Sequence, residues 1–240
     1  MPLISADWPV PISPGFLQGR IIRLEPLASS HETELLKIAD DEQIWRYLSS
    51  DARTPRSMHD YVNAALRDHL AGTALPFVVR ASLDGRVIGM TRLKSMSREN
   101  RKAMVGSWFE RSAWGSGANT ESKLLLLQFA FESLHCFRVE FQTDSRNLRS
   151  RSALAKMGAF EEGTLRSYLI TTAGHRRDTV VFSVLDREWP EMKHKLLGRL
   201  ATNILDLHSW EEPGSGSFAN WAVISSDLDV DSRLRHEWFP

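Results

Sequence analysis

The stretch WGSGANTESKLLLLQFAFESL, which begins at Trp114, carries two glycines directly before a long apolar run. Gly115 and Gly117 leave backbone N–H groups uncovered where a helix must start, and the first four N–H groups of a helix lack intrahelical partners. These groups lie at the positive end of the helix dipole, so together they could hold a phosphate or pyrophosphate. A tight corner between strand and helix explains the same glycines, and the pattern alone allows both interpretations.

Two familiar phosphate loops do not fit this stretch. No lysine follows Gly117 as the Gly-Lys-Ser/Thr loop requires, and Thr120 stands where the third glycine of Gly-x-Gly-x-x-Gly belongs. The candidate anion site therefore depends on its backbone amides.

Asn147 and Ser150 form a second candidate pair, in the segment NLRSRSALAKMGA. They are spaced as a helix cap and the third residue of its helix, so by themselves they predict a capped helix that ends at Gly158. Without further evidence, capping is the preferred interpretation of both residues.

The order of apolar and polar residues predicts alternating strands and helices around these candidates. The glycine loop lies inside a strand, loop, helix, strand unit, and two hairpins turn at LDGR and TAGHR. The run LLLL is apolar on nearly every side of its helix and is therefore expected in the core. Strands are predicted at 19–27, within 75–96 (a hairpin), and at 102–110, 136–143, 163–170 and 177–185, with helices at 29–39, 40–48, 57–71, 118–134, 147–158 and 186–201.

Composition limits the classes of function. The chain has 240 residues, and its 30 Lys and Arg balance its 30 Asp and Glu, so no overall field favours nucleic acid as a partner. The single cysteine, Cys136, excludes an internal disulfide and favours a reducing compartment, so we expect a cytoplasmic protein. No signal sequence or long apolar segment indicates secretion or a membrane. Cys136 follows His135, but a buried structural cysteine is a better interpretation than an acyl-enzyme nucleophile.

The predicted boundaries are an N-terminal extension at 1–18, a main domain at 19–200 and a C-terminal appendage at 201–240. The appendage has a Gly/Ser break at 213–217 and contains aromatic residues that need to be covered. We expect these aromatics to pack on the same subunit or on a neighbouring subunit, and the second arrangement would give a homodimer. Asp227, Asp229 and Asp231 follow the start of a calcium loop, but Ser232 replaces the required glycine. The sequence therefore predicts no metal.

Three stretches in order, GSWFERSAWGSGANTE, RVEFQTDSRNLRSRSALAKMGA and EEGTLRSYLITTAGHRRDTVVFSVLDREWP, resemble the GNAT superfamily of acetyl-coenzyme A dependent N-acetyltransferases. The resemblance covers roughly 19–200 and is strongest to the branch of ribosomal-protein N-terminal alanine acetyltransferases. It implies an α/β (α+β) acyltransferase fold, with a mixed, largely antiparallel sheet of about seven strands, flanked by helices and split near the fourth and fifth strands. It also implies that acetyl-coenzyme A is bound by Trp108, Phe109, Gly115, Gly117, Ala118, Asn119, Thr120, Asn147 and Ser150.

The chain departs from the family pattern at three places. Trp114 and Asn119 replace both ends of the superfamily loop Gln/Arg-x-x-Gly-x-Gly/Ala. Leu154 stands where many members carry the tyrosine that protonates the leaving thiolate, which makes Ser150 the substitute general acid. Leu169 stands where the ribosomal-protein branch carries a glutamate base, so the family match assigns no base.

Amine acetylation needs a proton acceptor, because an alkylamine with a pKa of about 10.4 is mostly protonated at neutral pH. A free backbone N–H between Ser107 and Glu110 could stabilise the oxyanion of the tetrahedral intermediate. The candidate bases are Glu110, Glu162, Tyr168 and His175.

The sequence thus predicts an N-acetyltransferase that moves the acetyl group from acetyl-coenzyme A to a primary amine by direct attack. The acceptor stays open between a protein N-terminus, an amino acid and another small molecule, and a donor such as succinyl-coenzyme A is a further possibility. The alternative function is a catalytically silent acyl-coenzyme A binding or sensing module, which the missing tyrosine and the unmatched base favour.

Overall fold

The computed structural model describes residues 14–208, with side chains to residue 201, and shows one eight-stranded sheet. Its order is β1-β2-β3-β4-β5-β6-β8-β7, and every neighbouring pair is antiparallel except β5 and β6, which are parallel. The strands are β1 Leu17–Gln18, β2 Ile22–Pro26, β3 Leu75–Ala81, β4 Val87–Ser97, β5 Lys102–Phe109, β6 Arg138–Asp144, β7 Phe160–Ile170 and β8 Arg176–Leu185.

Six α-helices occur in the described chain, and local sequence signals account for several of their ends. Thr54 caps α3 through the backbone N–H of Ser57, and Pro55 takes the first helical position, where its missing N–H costs nothing. The helices are α1 Glu32–Ile38, α2 Glu42–Trp45, α3 Pro55–Leu70, α4 Ala118–Gln128, α5 Leu148–Met157 and α6 Trp189–His208. A π-helical turn, Phe129–Ser133, continues α4.

The two faces of the sheet pack against different helices. One apolar cluster joins α4, α5 and α6 to the sheet, and it includes Leu126, Leu154 and Leu196. The other joins α1, α2 and α3 to the opposite face, and it includes Leu35 and Val62. All four leucines of the LLLL run are buried, as predicted.

The sheet opens between β5 and β6. Their ladder runs from Lys102 beside Arg138 to Val105 beside Phe141 and then ends. β5 continues to Phe109 in register with β4, and β6 continues to Asp144 in register with β8. The predicted split sheet is therefore confirmed, and we call the space beyond Val105 and Phe141 the gap.

Apart from shifts of a few residues at the ends of other elements, three details differ from the predictions. The sheet has eight strands rather than about seven, because Leu17–Gln18 adds a short edge strand to β2. α6 continues past residue 200 to His208. Cys136 is buried as predicted, but it precedes β6 rather than opening it, since His135 adopts a left-handed turn conformation at φ 51°.

Residues up to Ile204 belong to one compact unit, and of the second unit, which starts at Leu205, only the end of α6 is described. The appendage predictions, including the aspartates at 227–231, lie outside the described residues, and the domain boundaries stay predictions. Between residues 14 and 208, no helix is long and apolar enough to cross a membrane.

Candidate active site

The glycine loop is a sharp left-handed corner between β5 and α4. Gly115 and Gly117 have φ of 83° and 89°, a region that residues with a β-carbon rarely adopt. The corner interpretation therefore holds for the backbone. A β-carbon added at Gly115 would meet no described atom within 4 Å, so there is open space beside this residue. The tight corner is therefore compatible with a bound anion.

The N–H groups at the start of α4 are largely unused. The first intrahelical bond runs from the Glu121 N–H to the Gly117 carbonyl at 2.9 Å, and the Ala118 N–H donates to Ser116 Oγ at 3.3 Å. Within the described chain, the N–H groups of Gly117, Asn119 and Thr120 donate to no protein acceptor. These donors, at the positive helix end, are suited to an anion.

The side chain of Asn119 is already engaged. Lys123, one turn later in α4, donates its Nζ to Asn119 Oδ1. Burial lowers the pKa of Lys123 to about 8. Asn119 is therefore available to a ligand through its backbone N–H rather than through its side-chain oxygen.

Trp114 brings the glycine loop, the end of β5 and the start of α5 together. Its indole N–H donates to the Phe109 carbonyl at 3.1 Å, and the Arg149 guanidinium lies 3.3 Å from the centre of its ring. Burial lowers the pKa of Arg149. The two segments that the sequence predicted to bind one ligand are thus neighbours in the fold.

The pair Asn147 and Ser150 forms the helix cap that its spacing predicted. Asn147 Oδ1 accepts the backbone N–H of Ser150 at 3.1 Å, and Gly158 ends α5 at φ 105°. The Ser150 hydroxyl makes no hydrogen bond to the rest of residues 14–208 and is only half buried. Capping therefore uses the backbone of Ser150 and leaves its hydroxyl free for other chemistry.

The end of β5 presents backbone donors to the gap. Trp108 and Phe109 are buried in the two opposite clusters, so both side chains serve the core. The Glu110 N–H donates to the Ile88 carbonyl at 2.9 Å. Because bonded positions alternate along an antiparallel pair, the N–H groups of Ser107 and Phe109 point away from β4 and toward the gap.

The candidate bases occupy very different surroundings. Glu110 lies at the end of β5, where it pairs with Arg86 and accepts the Ser112 hydroxyl at 2.6 Å. Tyr168 is 51% exposed on the edge strand β7, and His175 is exposed in the β7–β8 turn. Of these three, Glu110 lies next to the glycine loop.

Glu162 is the candidate that the structure favours least. Arg138 donates to both of its carboxylate oxygens at 2.5 Å, and the Ser183 hydroxyl donates at 2.7 Å. The hydrogen bonds from Arg138 lower the pKa of Glu162 to about 2. A carboxylate held this way is a weak proton acceptor, and it lies beside the paired part of β6 rather than beside the gap.

Glu121 positions the start of α4, a role that sequence reasoning missed. Its buried carboxylate accepts the backbone N–H groups of Arg20, Ile21 and Ile22 at 2.8 to 2.9 Å. Burial raises its pKa, against the opposing effect of these three bonds. Gly19 has no room for a β-carbon beside this carboxylate. An acidic residue in a first helical turn is common, so no sequence signal marked Glu121 for this contact.

Comparison with known proteins places these features in a family. Residues 22–159 match the model described as Acetyltransferase (GNAT) domain. YdaF of Bacillus subtilis, which bears the provisional name of ribosomal N-acetyltransferase, is 32% identical over 168 residues, covering 69% of this chain and 90% of its own.

Solved structures have the same fold. A provisionally assigned acetyltransferase from T. thermophilus shares 36% identity at a TM-score of 0.72, covering 78% of this chain and 98% of its own. Mycobacterium smegmatis RimJ, solved in complex with CoA-disulfide, shares 23% identity at a TM-score of 0.67, covering 77% and 91%.

Proposed function

The chain belongs to the GNAT acetyltransferase family, and from that premise we propose that it moves the acetyl group of acetyl-coenzyme A to a primary amine by direct attack. One arrangement supports the proposal above others. The unpartnered N–H groups that begin α4 lie next to the end of β5, at the point where β5 and β6 separate. A pyrophosphate on these amides leaves a path through the gap for the thioester arm.

In this proposal the backbone supplies most of the binding and charge stabilisation. The N–H groups of Gly117, Asn119 and Thr120 hold the pyrophosphate. The N–H groups of Ser107 and Phe109, which face the gap, bind the thioester carbonyl and stabilise the oxyanion as it forms.

Two side chains are proposed for proton transfer. Glu110 accepts the amine proton, directly or through water, because it is the candidate carboxylate at the end of β5. The Ser150 hydroxyl, which capping leaves free, protonates the departing thiolate.

The acceptor is proposed to be the amino group of a protein N-terminus or a small molecule. The name of YdaF, a ribosomal N-acetyltransferase, supports a protein acceptor. The complex of RimJ with a coenzyme A disulfide supports acetyl-coenzyme A as the donor. A cytoplasmic location fits the single, unpaired and buried Cys136.

A catalytically silent module that binds acyl-coenzyme A remains the second candidate. Leu154, at the position where many family members carry a tyrosine acid, is buried in the core and offers no proton. This observation favours the alternative only if Ser150 also plays no part in catalysis.

The deciding experiment mixes the protein with acetyl-coenzyme A and each amine of a panel, which includes a ribosomal-protein N-terminal peptide, and measures the thiol released. We expect thiol release together with a product heavier by one acetyl group. Coenzyme A binding by calorimetry without thiol release for any amine would support the silent module. Absence of both would contradict the proposed function.

A further inference from the structure

A stacked pair of side chains joins the two rims of the gap. Trp114 belongs to the loop that follows β5, and Arg149 is the second residue of α5, which follows β6. The guanidinium carbon of Arg149 lies 3.3 Å from the centre of the Trp114 ring, so the two groups are in direct contact. The pair therefore connects the glycine loop with the strand-to-helix turn on the other side of the gap.

Trp114 is firmly held in this position. Its indole N–H donates to the Phe109 carbonyl at 3.1 Å, and its backbone N–H donates to the Arg111 carbonyl at 3.1 Å. The side chain is partly buried and packs against residues of both apolar clusters. The ring is thus a fixed surface on which the guanidinium of Arg149 rests.

The N–H groups of Arg149 are unused. Within residues 14–208 its guanidinium donates no hydrogen bond and forms no ion pair, and the residue is exposed. Stacking occupies the flat face of a guanidinium and leaves its edge, which carries the N–H groups, for another partner. Arg149 can therefore bind an anion without leaving Trp114.

The positive charge of Arg149 lies in unfavourable surroundings. It is in the first turn of α5, at the positive end of the helix dipole, and this turn holds no acidic residue. Partial burial lowers the pKa of Arg149, and the charge of Arg111 acts in the same direction. A negatively charged ligand would offset all three effects.

The glycine loop brings Arg149 and the free N–H groups of α4 together. Trp114 is three residues before Gly117, and three residues of backbone span at most about 11 Å. Gly115 lies between them and has open space beside it. The stacked guanidinium and the N–H groups of Gly117, Asn119 and Thr120 are thus at the two ends of one short loop.

Neutral N–H groups do not balance the charge of a pyrophosphate, so a cation is needed beside them. Lys123 already donates to Asn119 Oδ1, and burial lowers its pKa to about 8. Arg111 forms an ion pair with Asp41 at 3.8 Å. Arg149 is the arginine beside this loop that has no acidic partner among the described residues.

We propose that Arg149, held on Trp114, binds the pyrophosphate of acetyl-coenzyme A together with the N–H groups that begin α4. The inference rests on the proposed function, because it adds a side chain from α5 to the donor site. The guanidinium edge presents two parallel N–H donors, which match two oxygens of a phosphate. Trp114 is a positioning residue, which orders the long side chain of Arg149 before the ligand arrives.

Calorimetric titrations of the full chain with coenzyme A and with dephospho-coenzyme A test this. The second ligand lacks only the 3′-phosphate and keeps the pyrophosphate. Arg149→Gln should lower the affinity for both ligands by the same factor, at least tenfold, because the contact with the pyrophosphate is lost from each. Arg149→Lys should recover only part of the affinity, and a lysine that binds both ligands as tightly as arginine would overturn the two-bond contact.

Arg166→Gln is the matched control. Arg166 is exposed on β7, outside the donor site, and the substitution removes the same charge. It should keep the wild-type affinity for both ligands. The urea unfolding midpoints of the variants exclude a loss of folded protein as the cause of weaker binding.

A double-mutant cycle tests the role of Trp114. Trp114→Leu alone should also lower the affinity for both ligands. If the ring acts by positioning Arg149, the variant with both Trp114→Leu and Arg149→Gln should bind within about twofold of the weaker single variant. Losses that multiply in the double variant would show independent roles and overturn the positioning.

The outcomes separate this inference from the proposed function. Wild-type affinity for both ligands in Arg149→Gln would overturn the inference and leave the acetyltransferase standing. A loss confined to coenzyme A, with dephospho-coenzyme A unchanged, would assign Arg149 to the 3′-phosphate and overturn the pyrophosphate contact. If the wild type binds coenzyme A but acetylates no amine, the enzyme proposal fails, and the same titrations still decide the role of Arg149. If the wild type binds neither ligand, both proposals fail.

Discussion

Gly115→Ala tests whether the glycine loop holds coenzyme A or only turns the chain. Gly115 has φ of 83°, and an added β-carbon would meet no described atom within 4 Å. The structural cost of alanine is therefore the left-handed backbone alone, about 1–2 kcal/mol. Gly174, in the β7–β8 turn, has φ of 79° and an equally open β-carbon position, so Gly174→Ala carries the same cost far from the loop.

The magnitudes allow a clean separation. A domain with about 5 kcal/mol of stability that loses about 2 kcal/mol is still about 99% folded at 25 °C, so strain alone leaves coenzyme A affinity unchanged. A methyl group placed where the pyrophosphate approaches the backbone should cost at least tenfold in affinity, or about 1.4 kcal/mol. We expect this loss in Gly115→Ala and not in Gly174→Ala.

The assay is calorimetric titration with coenzyme A, together with the urea unfolding midpoint of each variant. Gly117 is a poorer position for this test, because it is the residue at the N-terminal cap of α4, so that a replacement also perturbs the start of the helix. Equal midpoint shifts in the two alanine variants, with wild-type coenzyme A affinity in Gly115→Ala, would refute the anion site and leave a structural corner.

Three further predictions concern the proposed acid, a doubtful base and the support of α4. Ser150→Ala should lower kcat by about ten- to a thousandfold. Coenzyme A affinity and melting temperature should change little, since the helix cap uses the backbone N–H of Ser150. Full activity of the variant would show that the hydroxyl has no catalytic role. Glu162→Gln should retain activity, which a kcat below a tenth of wild type would contradict. In the folded protein the pKa of Glu162 is about 2, below its ordinary value of 4.5. The ionised carboxylate therefore stabilises the fold above pH 4.5, and this stabilisation is lost as the pH falls toward 2. The difference in melting temperature between wild type and Glu162→Gln should shrink from pH 6 to pH 3. Glu121→Ala should lower the free energy of unfolding by at least about 1–3 kcal/mol, because the buried N–H of Ile22 is left without an acceptor and the part-buried N–H groups of Arg20 and Ile21 also lose theirs. An unchanged urea midpoint would exclude that role.

Local signals allowed most elements to be predicted. Asn147 and Gly158 mark the two ends of α5 as expected, because caps depend on residues within one turn of the chain. The short strand β1 was missed, since two residues carry too little periodicity to be distinguished from a loop. The extension of α6 to His208 was missed because Thr202 and Asn203, directly after the predicted end at 201, are weak helix formers.

The candidate site was predicted less completely than the fold. The sequence placed the glycine loop at the start of a helix, but only the structure gives φ of 83° and 89° and the unused N–H groups behind them. The sequence alone left four equal candidates for the general base: Glu110, Glu162, Tyr168 and His175. Their environments separate them, because the partner that depresses the pKa of Glu162, Arg138, is 24 residues away in the chain.

The sequence by itself determined the family, the order of strands and helices and the caps, because these depend on residue types at short separations along the chain. Tertiary structure alone decided where the sheet opens and which distant groups meet. Arg20 and Glu121 are 101 positions apart and carry no motif, yet the Glu121 carboxylate accepts the Arg20 N–H at 2.8 Å. A hydrogen bond depends on the positions of its two groups in space, so a contact between α4 and the residues before β2 has no counterpart in the local pattern of the sequence.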